Sequence, residues 1–436
     1  MSDNGLRGAV RGRVLLPGED GFDAAAKPWN WAVPQPVAAV VEAEDADDVA
    51  SLVRYTAQVG LTVTAQPSGH GASGDTDGVI LLRTGRLDTV DVRPGERVAK
   101  VGAGVKWGQV QAASGAHGLT GLAGSSPAVT VAGYTLGGGV SWFGRKYGWA
   151  ADSVLAFDVV DADGEQVRVT AESDPDLFWA LRGGGGDYAV VTGIEFALYP
   201  APAVYGGRVM WPGDRTPEVF EAFLELTAQA PRELSIWINR FQFPGGPPMV
   251  ALDLTYLGEA SEGAALLTCL SKIDGPISDS RGVVAIADLG GIAAEPVDPS
   301  PAGTSAELLT SLDDLAVATL SAEPINPLMN VQIRHLGGAL AEPVPSTGAG
   351  GAVTEPYLLY MLGPGLPHLI EGVTAKQAQL VADLDAYVSG RKPYTFLAPG
   401  ERAAAAFPEE TLTRLRAIKR ARDPRNVIRA NFPVLS

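Results

Sequence analysis

The stretch Pro36–Gly74, PVAAVVEAEDADDVASLVRYTAQVGLTVTAQPSGHGASG, decides the fold. Pro36–Ala43 is a short apolar run of strand type. Asp45 is placed to cap a helix, and Val49, Leu52, Val53 and Ala57 then recur at i, i+3, i+4 and i+8, one stripe of a helical surface. Gly60 is a natural helix stop. Leu61–Ala65 (LTVTA) returns as a β-branched strand. A strand–helix–strand unit of this length predicts a parallel pair joined by a right-handed crossover. The second strand runs into Gln66-Pro67-Ser68-Gly69-His70-Gly71-Ala72-Ser73-Gly74, a loop whose glycines allow left-handed turns and close approach of backbone N–H groups to a ligand.

Working outward, two further clusters share this character: Gly124–Gly139 (GSSPAVTVAGYTLGGG) and Gly183–Gly186. They lie in a zone from about residue 35 to 200. One cluster alone reads as tight turns; three together, two with serine interleaved, point to a nucleotide-type ligand. A dinucleotide fingerprint, G-x-G-x-x-G between strand and helix, is absent. Its nearest match, Gly102-Ala103-Gly104-Val105-Lys106-Trp107-Gly108, is one residue too long. From about 205 to 385 the pattern changes. Leu234, Ile236 and Ile238 alternate with Ser235, Trp237 and Asn239; Val250, Leu252, Leu254 and Tyr256 repeat the period, as do Val331, Ile333 and His335. This predicts an antiparallel sheet with one covered face, with helical runs at Ala260–Ser271 and His368–Val388. A basic amphipathic helix and a short terminal segment follow.

Composition narrows the function. Glycine takes 53 of 436 positions, well above the usual ~7%, yet hydrophobic residues reach 46% and charged ones only 19%, so the chain is globular. One cysteine, Cys269, excludes an intramolecular disulfide framework and a cysteine-rich zinc site, and four histidines argue against a metal cluster. A net charge of −17 argues against binding a phosphate backbone. No apolar run is long enough to span a bilayer and the N-terminus has no apolar signal core, so a soluble, cytoplasmic protein is expected. Among the histidines, His117 fits a helix end, His335 a strand interior and His368 a surface. His70, between two glycines in a strand-to-loop turn, shows no core-packing role; its ring nitrogen is a nucleophile, a hydrogen-bond donor or simply solvated.

These motifs, with Gly121–Gly148, Asp176–Thr192 (DLFWALRGGGGDYAVVT), Ile333–Ala339 (IRHLGGA) and Asp423–Asn431 (DPRNVIRAN), occur in an order and spacing that resembles the vanillyl-alcohol oxidase / p-cresol methylhydroxylase flavoproteins, closest to their berberine-bridge-enzyme-like bacterial branch. The resemblance runs over nearly the whole length. It implies an α+β fold: a two-subdomain FAD-binding domain of the p-cresol methylhydroxylase (PCMH) type over 1–205 (core about 32–202), a substrate domain over 206–384 whose antiparallel sheet is flanked by helices and roofs the flavin ring, and a segment over 385–436 that returns to the FAD-binding domain. By the same resemblance His70 bonds covalently to FAD. Ser126 stands where bicovalent relatives carry a cysteine, which leaves a single tether. Ser68, Gly69, Gly71, Ala72, Ser73, Gly124, Ser125, Ser126, Val129, Gly133, Gly137, Gly138, Val191 and Asn431 are expected around the cofactor, and Tyr134 and Arg334 in the substrate pocket.

The implied chemistry is hydride transfer from a small-molecule alcohol, a sugar or a hydroxylated natural product of secondary metabolism, to the flavin, with molecular oxygen as the second substrate and hydrogen peroxide as product. Oxidation of a C–N or C–C bond with cyclisation, or a non-redox flavin-binding homologue, are the alternatives. The base is sought among Tyr394, Tyr357 and Tyr360; strand alternation sends Tyr357 and Tyr360 to opposite faces. The chain departs from the family pattern at Asp187-Tyr188-Ala189 (often Asn-Phe-Gly), at Tyr394-Thr395-Phe396 (often Tyr-x-Asn-Phe) and at Phe407 (often tyrosine). Substrate identity and oligomeric state stay open at this level.

Overall fold

The computed structural model describes residues 3–322, 324–343 and 347–436; Met1 and Ser2, at the head of the N-terminal stretch read above, lie outside the described residues. The quoted stretch builds a four-stranded sheet from β1 (Arg13–Leu15), β2 (Ala39–Glu42), β3 (Val63–Ala65) and β4 (Ile80–Arg83). The helix Ala46–Val59 joins β2 to β3. The Asp45 side chain accepts from the N–H groups of Asp47 and Asp48, and Gly60, at φ 69°, ends it in the left-handed conformation. Val49, Leu52 and Val53 are fully buried against β2, β3 and β4. The expected pairing needs one correction. β2 and β3 are both parallel to β4, which inserts between them to give the order β1-β2-β4-β3. The crossover therefore spans one strand, a choice made by tertiary packing that the local pattern does not encode. β1, upstream of the expected core, pairs antiparallel with β2.

A second, antiparallel sheet holds β5 (Val90–Arg93) and β6 (Val98–Gly102). Gly102 and Gly104 answer to packing: a Cβ on Gly102 would sit 2.1 Å from the Leu87 carbonyl oxygen, and one on Gly104 2.3 Å from that of Thr84. A two-residue strand, β7 (Leu119–Thr120), precedes β8 (Val154–Val160), β9 (Gln166–Val169) and β10 (Val190–Ala197), and the sheet runs β5-β6-β10-β8-β9. β11 (Tyr199–Pro200) pairs with β7.

The third sheet is antiparallel: β12 (Tyr205–Pro212), β13 (Leu234–Phe241), β14 (Met249–Tyr256), the edge pieces β15 (Ser278–Asp279) and β16 (Gly282–Val283), β17 (Ala302–Leu309), β18 (Asn330–His335) and β19 (Tyr357–Pro364), in the order β15-β12-β14-β13-β18-β19-β17, with β16 also on β12. Helices Thr216–Ala228, Asp314–Ser321 and Ile370–Asp383 cover the face bearing Ile236, Ile238, Leu252 and Ile333. The expectation of one covered face is corrected: every residue of β13 is buried. The second face, with Trp237, Asn239, Asp253, Gln332 and Arg334, turns toward the first two sheets, where Trp237 stacks on Trp142 at 3.7 Å between ring centres. The run 260–271 also breaks, into an α-helix Ala260–Leu266 and a 3-10 helix Thr268–Lys272.

The C-terminal segment returns to the first sheet. After the helix Glu409–Arg422, Val63 donates to the Val427 carbonyl and accepts from the Arg429 N–H, so that the segment lies along the β3 edge. Val427 and Ile428 enter the core of that sheet.

Candidate cofactor and substrate site

A cavity of about 500 Å3 lies between the glycine-rich loops and the inner face of the third sheet. Most of the residues singled out from the sequence meet on its wall: Ser68, Gly69, His70, Gly71, Gly124, Ser125, Ser126, Val129, Gly133, Gly137, Val191 and Asn431, with Tyr134, Arg334, Tyr360 and Tyr394. Ala72, Ser73, Gly138 and Tyr357 are not brought there. Ala72 is buried in the turn that closes on the Gly69 carbonyl, and the Ser73 hydroxyl accepts from the Asp75 N–H. Gly138 packs on Trp149. Tyr357 is on the helix-covered side of β19, its hydroxyl 3.3 Å from that of Thr227, so alternation removes it from any role at the cavity.

His70 is the most informative wall residue. Its ring stacks on Trp29 with centres 4.0 Å apart, and its Nδ1 lies 2.8 Å from the Ser68 hydroxyl. Its Nε2 is buried with no hydrogen-bond partner. Burial, reinforced by the nearby Lys106 charge, pulls the imidazole from its ordinary value down to about 4, so the ring is neutral at physiological pH. A neutral ring with an uncommitted nitrogen, on a residue that lines the cavity, is an arrangement suited to bonding a ligand. Of the other histidines only His335 also has a buried, unpartnered nitrogen, its Nδ1, and it does not line the cavity. His117 lies beyond the end of the helix Trp107–Gly115 and is exposed, and His368 is also exposed. His335, 3.1 Å from the Arg145 guanidinium, is depressed to about 3 by burial and that charge.

Gln66, the first residue of the loop, ties three segments together. Its side-chain amide donates to Gln35 and to the Asn431 side chain, each at 2.7 Å, while its own carbonyl oxygen is buried on the cavity wall without a partner. Thr84 adds another buried, unpartnered hydroxyl on the same wall. Unpaired buried polar atoms are costly, and a polar ligand placed here would satisfy them. With the glycine loops beside them, these residues fit an FAD.

Asp187, a departure from the family pattern, is the anchor of the opposite wall. Its buried carboxylate accepts from the N–H groups of Ala430 at 2.9 Å and Val434 at 3.0 Å. The fully buried Lys419 ammonium lies 3.7 Å away and donates to the Asp187 carbonyl oxygen and to Asp423. This network holds Arg429–Phe432 against the cavity. Tyr394 belongs to the same support. Its hydroxyl donates to the Phe432 carbonyl at 2.9 Å, and its ring closes on Gly185 so tightly that a Cβ there would lie 2.5 Å from the phenolic oxygen. Gly185 also has φ +84°, a backbone that glycine adopts without strain. Burial pushes the Tyr394 phenol far above its ordinary value.

The roof carries a chain of polar side chains across four adjacent strands. Arg208 on β12 pairs with Asp253 on β14; Asn239 on β13 donates to Asp253 at 3.1 Å. Gln332 on β18 donates to the Asn239 side-chain carbonyl at 2.7 Å, and Arg334 donates through Nε to Gln332 at 2.6 Å. Arg334 lies over the Trp237 ring, 4.0 Å from its centre, with Phe396 at 5.4 Å and Tyr360 at 5.7 Å. Tyr360, whose hydroxyl has no partner among the described residues, is pushed up to about 12 by burial and by the Glu295 charge, against the opposing pull of Arg334. Tyr134, its hydroxyl buried and unpartnered, meets the edge of Trp107 and is also raised by burial.

Sequence reasoning missed Trp29, Asn30 and Glu295. The Asn30 side chain exchanges two hydrogen bonds with the Ala302 backbone, at 2.8 and 2.9 Å, and so joins the His70 side of the cavity to the roof. All three lie in irregular segments with no periodicity to expose them.

A family model described as an FAD binding domain matches residues 37–170. Over 98% of this chain and 97% of its own length, the (R)-6-hydroxynicotine oxidase of Paenarthrobacter nicotinovorans is 27% identical. Two solved structures superpose over nearly the full chain. The Physcomitrella patens berberine-bridge-enzyme-like 1 protein has a TM-score of 0.87 at 21% identity, covering 99% of this chain and 98% of its own. Xylooligosaccharide oxidase from Myceliophthora thermophila has 0.85 at 20%, with the same coverages. Fold and site thus define an FAD-dependent oxidoreductase. Residues 37–170 form an FAD binding domain, and the fold as a whole is that of the berberine-bridge-enzyme-like structures. Among the described residues no helix is long and apolar enough to cross a membrane.

Proposed function

We propose that the protein is an oxidase that removes a hydride from an alcohol carbon and uses molecular oxygen as the final acceptor, with FAD held by one covalent bond to His70. The FAD-binding part would comprise residues 1–205 and 385–436, and the substrate part 206–384. The observation that carries the reading is one continuous cavity shared by the neutral, unpartnered His70 nitrogen and the polar roof. When bound, FAD supplies the two-electron acceptor for a substrate C–H bond. The rest falls to side chains of this chain. Backbone N–H groups of Ser68–Gly71 and Gly124–Ser126 would hold the anionic part of the cofactor. Ser126 offers no thiolate, and its hydroxyl accepts from the Ala128 N–H at 3.4 Å, in keeping with a single tether. Asn431 would face the cofactor from the segment pinned by Asp187. At the roof, Tyr360 is the phenol with an uncommitted hydroxyl; protonated at neutral pH, it would hydrogen-bond the substrate oxygen and orient it for hydride loss. Tyr394, with its proton given to Phe432, would act as a positioning residue.

The name of one full-length relative, an oxidase of hydroxynicotine, favours a second reading, oxidation at a C–N bond. The buried Arg334 cation weighs against a cationic amine at the roof and supports the alcohol. Anaerobic addition of a substrate panel tests the proposal. An alcohol should bleach the flavin, and readmitted oxygen should restore the colour with one hydrogen peroxide per flavin. A panel of alcohols and amines that leaves the spectrum unchanged would overturn the oxidase assignment.

A further inference from the structure

The roof holds a buried cation, Arg334, that makes no ion pair among the described residues. Asp253, fully buried, is spoken for: both of its oxygens take N–H groups of Arg208, and one also accepts from Asn239. The side-chain chain then runs in one direction only, through Asn239 and Gln332 to Arg334. Each amide is oriented by its neighbour, so Gln332 presents its oxygen to Arg334 and fixes the guanidinium by Nε. Arg334 is 94% buried as a residue, at 6% relative exposure, and lines the cavity. It makes no ion pair among the described residues. The carboxylate that acts most strongly on it is Glu295, on the same cavity wall, which is only partly buried. One face of the guanidinium is covered by Trp237, itself clamped by Trp142. With Nε committed and a face stacked, what remains for a ligand is the planar end bearing Nη1 and Nη2.

We propose that Arg334 is the specificity residue of the site and that the substrate is an acid, whose carboxylate docks end-on against the two terminal nitrogens of this guanidinium. The inference rests on the oxidase reading above for the substrate being the molecule that is oxidised, but its binding step does not. A buried guanidinium with no carboxylate in contact carries a desolvation penalty that the stack on Trp237 offsets only in part. A carboxylate supplies the missing charge and matches the fork of two parallel N–H donors, which neither a neutral hydroxyl nor a cationic amine does. The polar relay behind Gln332 keeps the fork in place before the substrate arrives, so little ordering is required at binding.

Equilibrium titration of the oxidised holoenzyme with acid and amide pairs tests this through the visible flavin spectrum, with no turnover needed. The probes are benzoate and benzamide, mandelate and mandelamide, glucuronate and glucuronamide. At least one acid should bind ten-fold or more tighter than its amide. Arg334→Met should erase that preference while keeping the flavin, and Arg334→Lys should keep part of it. Glu295→Gln, which removes a competing carboxylate from the wall, should tighten the acid further. Without ligand, Arg334→Met should melt no lower than the parent, because it removes an unpaired buried charge; a merely structural arginine would lower the midpoint. The proposal is overturned if no acid is preferred over its amide, if Arg334→Met leaves a preference intact, or if Arg334→Met sheds FAD, which would make the cofactor the partner of Arg334. Acid-selective binding with no bleaching by any substrate would instead retire the oxidase reading and leave the acid site standing.

Discussion

The proposed histidyl bond makes a prediction about pH that the His70 environment fixes in sign and size. Addition to the cofactor needs the neutral imidazole. A solvated histidine with its usual pKa near ~6.5 is about three-quarters neutral at pH 7 and only about 3% neutral at pH 5. Its rate of attachment would fall roughly 25-fold across that interval. His70 is drawn down to about 4 by burial and by Lys106, which leaves it about 90% neutral even at pH 5. The perturbation is therefore pH itself. Apoprotein, prepared from a riboflavin-starved host, is mixed with FAD between pH 5 and 8, quenched in acid at intervals, and read by in-gel flavin fluorescence. The rate should be flat within about 10–20% over the whole range and decline only as pH approaches 4. The sign follows from burial: the folded site refuses a proton that a free imidazole would take between 6.5 and 4. A rate that halves near pH 6.5 would refute the reasoning, because it would mean that the reacting ring is solvated and that the Trp29 stack does not describe the state that reacts.

The remaining predictions bear on the tether, the anchor and the phenols. His70→Ala should bind FAD but release all of it on denaturation, whereas Ser126→Ala should keep it attached; flavin lost from the serine variant would place a second bond in that loop. Asp187→Ala leaves the Ala430 and Val434 amides and the Lys419 ammonium without their carboxylate, a cost of about 3–5 kcal/mol. A chain of this length unfolding cooperatively would lose roughly 3–5 °C in thermal midpoint. An unchanged midpoint would dismiss the anchor. Tyr360→Phe should lower kcat at least ten-fold at neutral pH with the fold intact. Tyr394→Phe, which removes one hydrogen bond, should cost about 1 kcal/mol and leave kcat within a few-fold; equal losses of kcat in both variants would contradict the separate roles given to the two phenols.

What the sequence disclosed and withheld divides along physical lines. The helix Ala46–Val59 was readable to its caps, because Asp45, the apolar stripe and Gly60 act within a few residues of one another. Strand order was not, since inserting β4 between β2 and β3 depends on surfaces distant in the chain. The motif residues gathered at the cavity because the glycine loops that carry them are local turns. Phenol roles were beyond reach: Tyr394 and Tyr360 look alike in sequence, and only the Phe432 carbonyl, 38 positions from Tyr394, separates them. Asp187 shows the converse. It stood out as a departure from the family pattern, and its meaning lies in two backbone amides more than 240 residues away.

The pinning of Arg429–Phe432 has a consequence for how the protein comes to hold its cofactor. Gln66 and Asn431, hydrogen-bonded side by side on the cavity wall, are 365 positions apart. A ribosome delivers the first wall long before the second, so the pocket does not exist on the nascent chain until that whole span has emerged and the Asp187 latch has closed. Acquisition of flavin then works as an inspection of the chain from residue 66 through residue 431. Chains that stall or are clipped before residue 430 would stay colourless, and yellow colour would report synthesis past that point as well as cofactor supply.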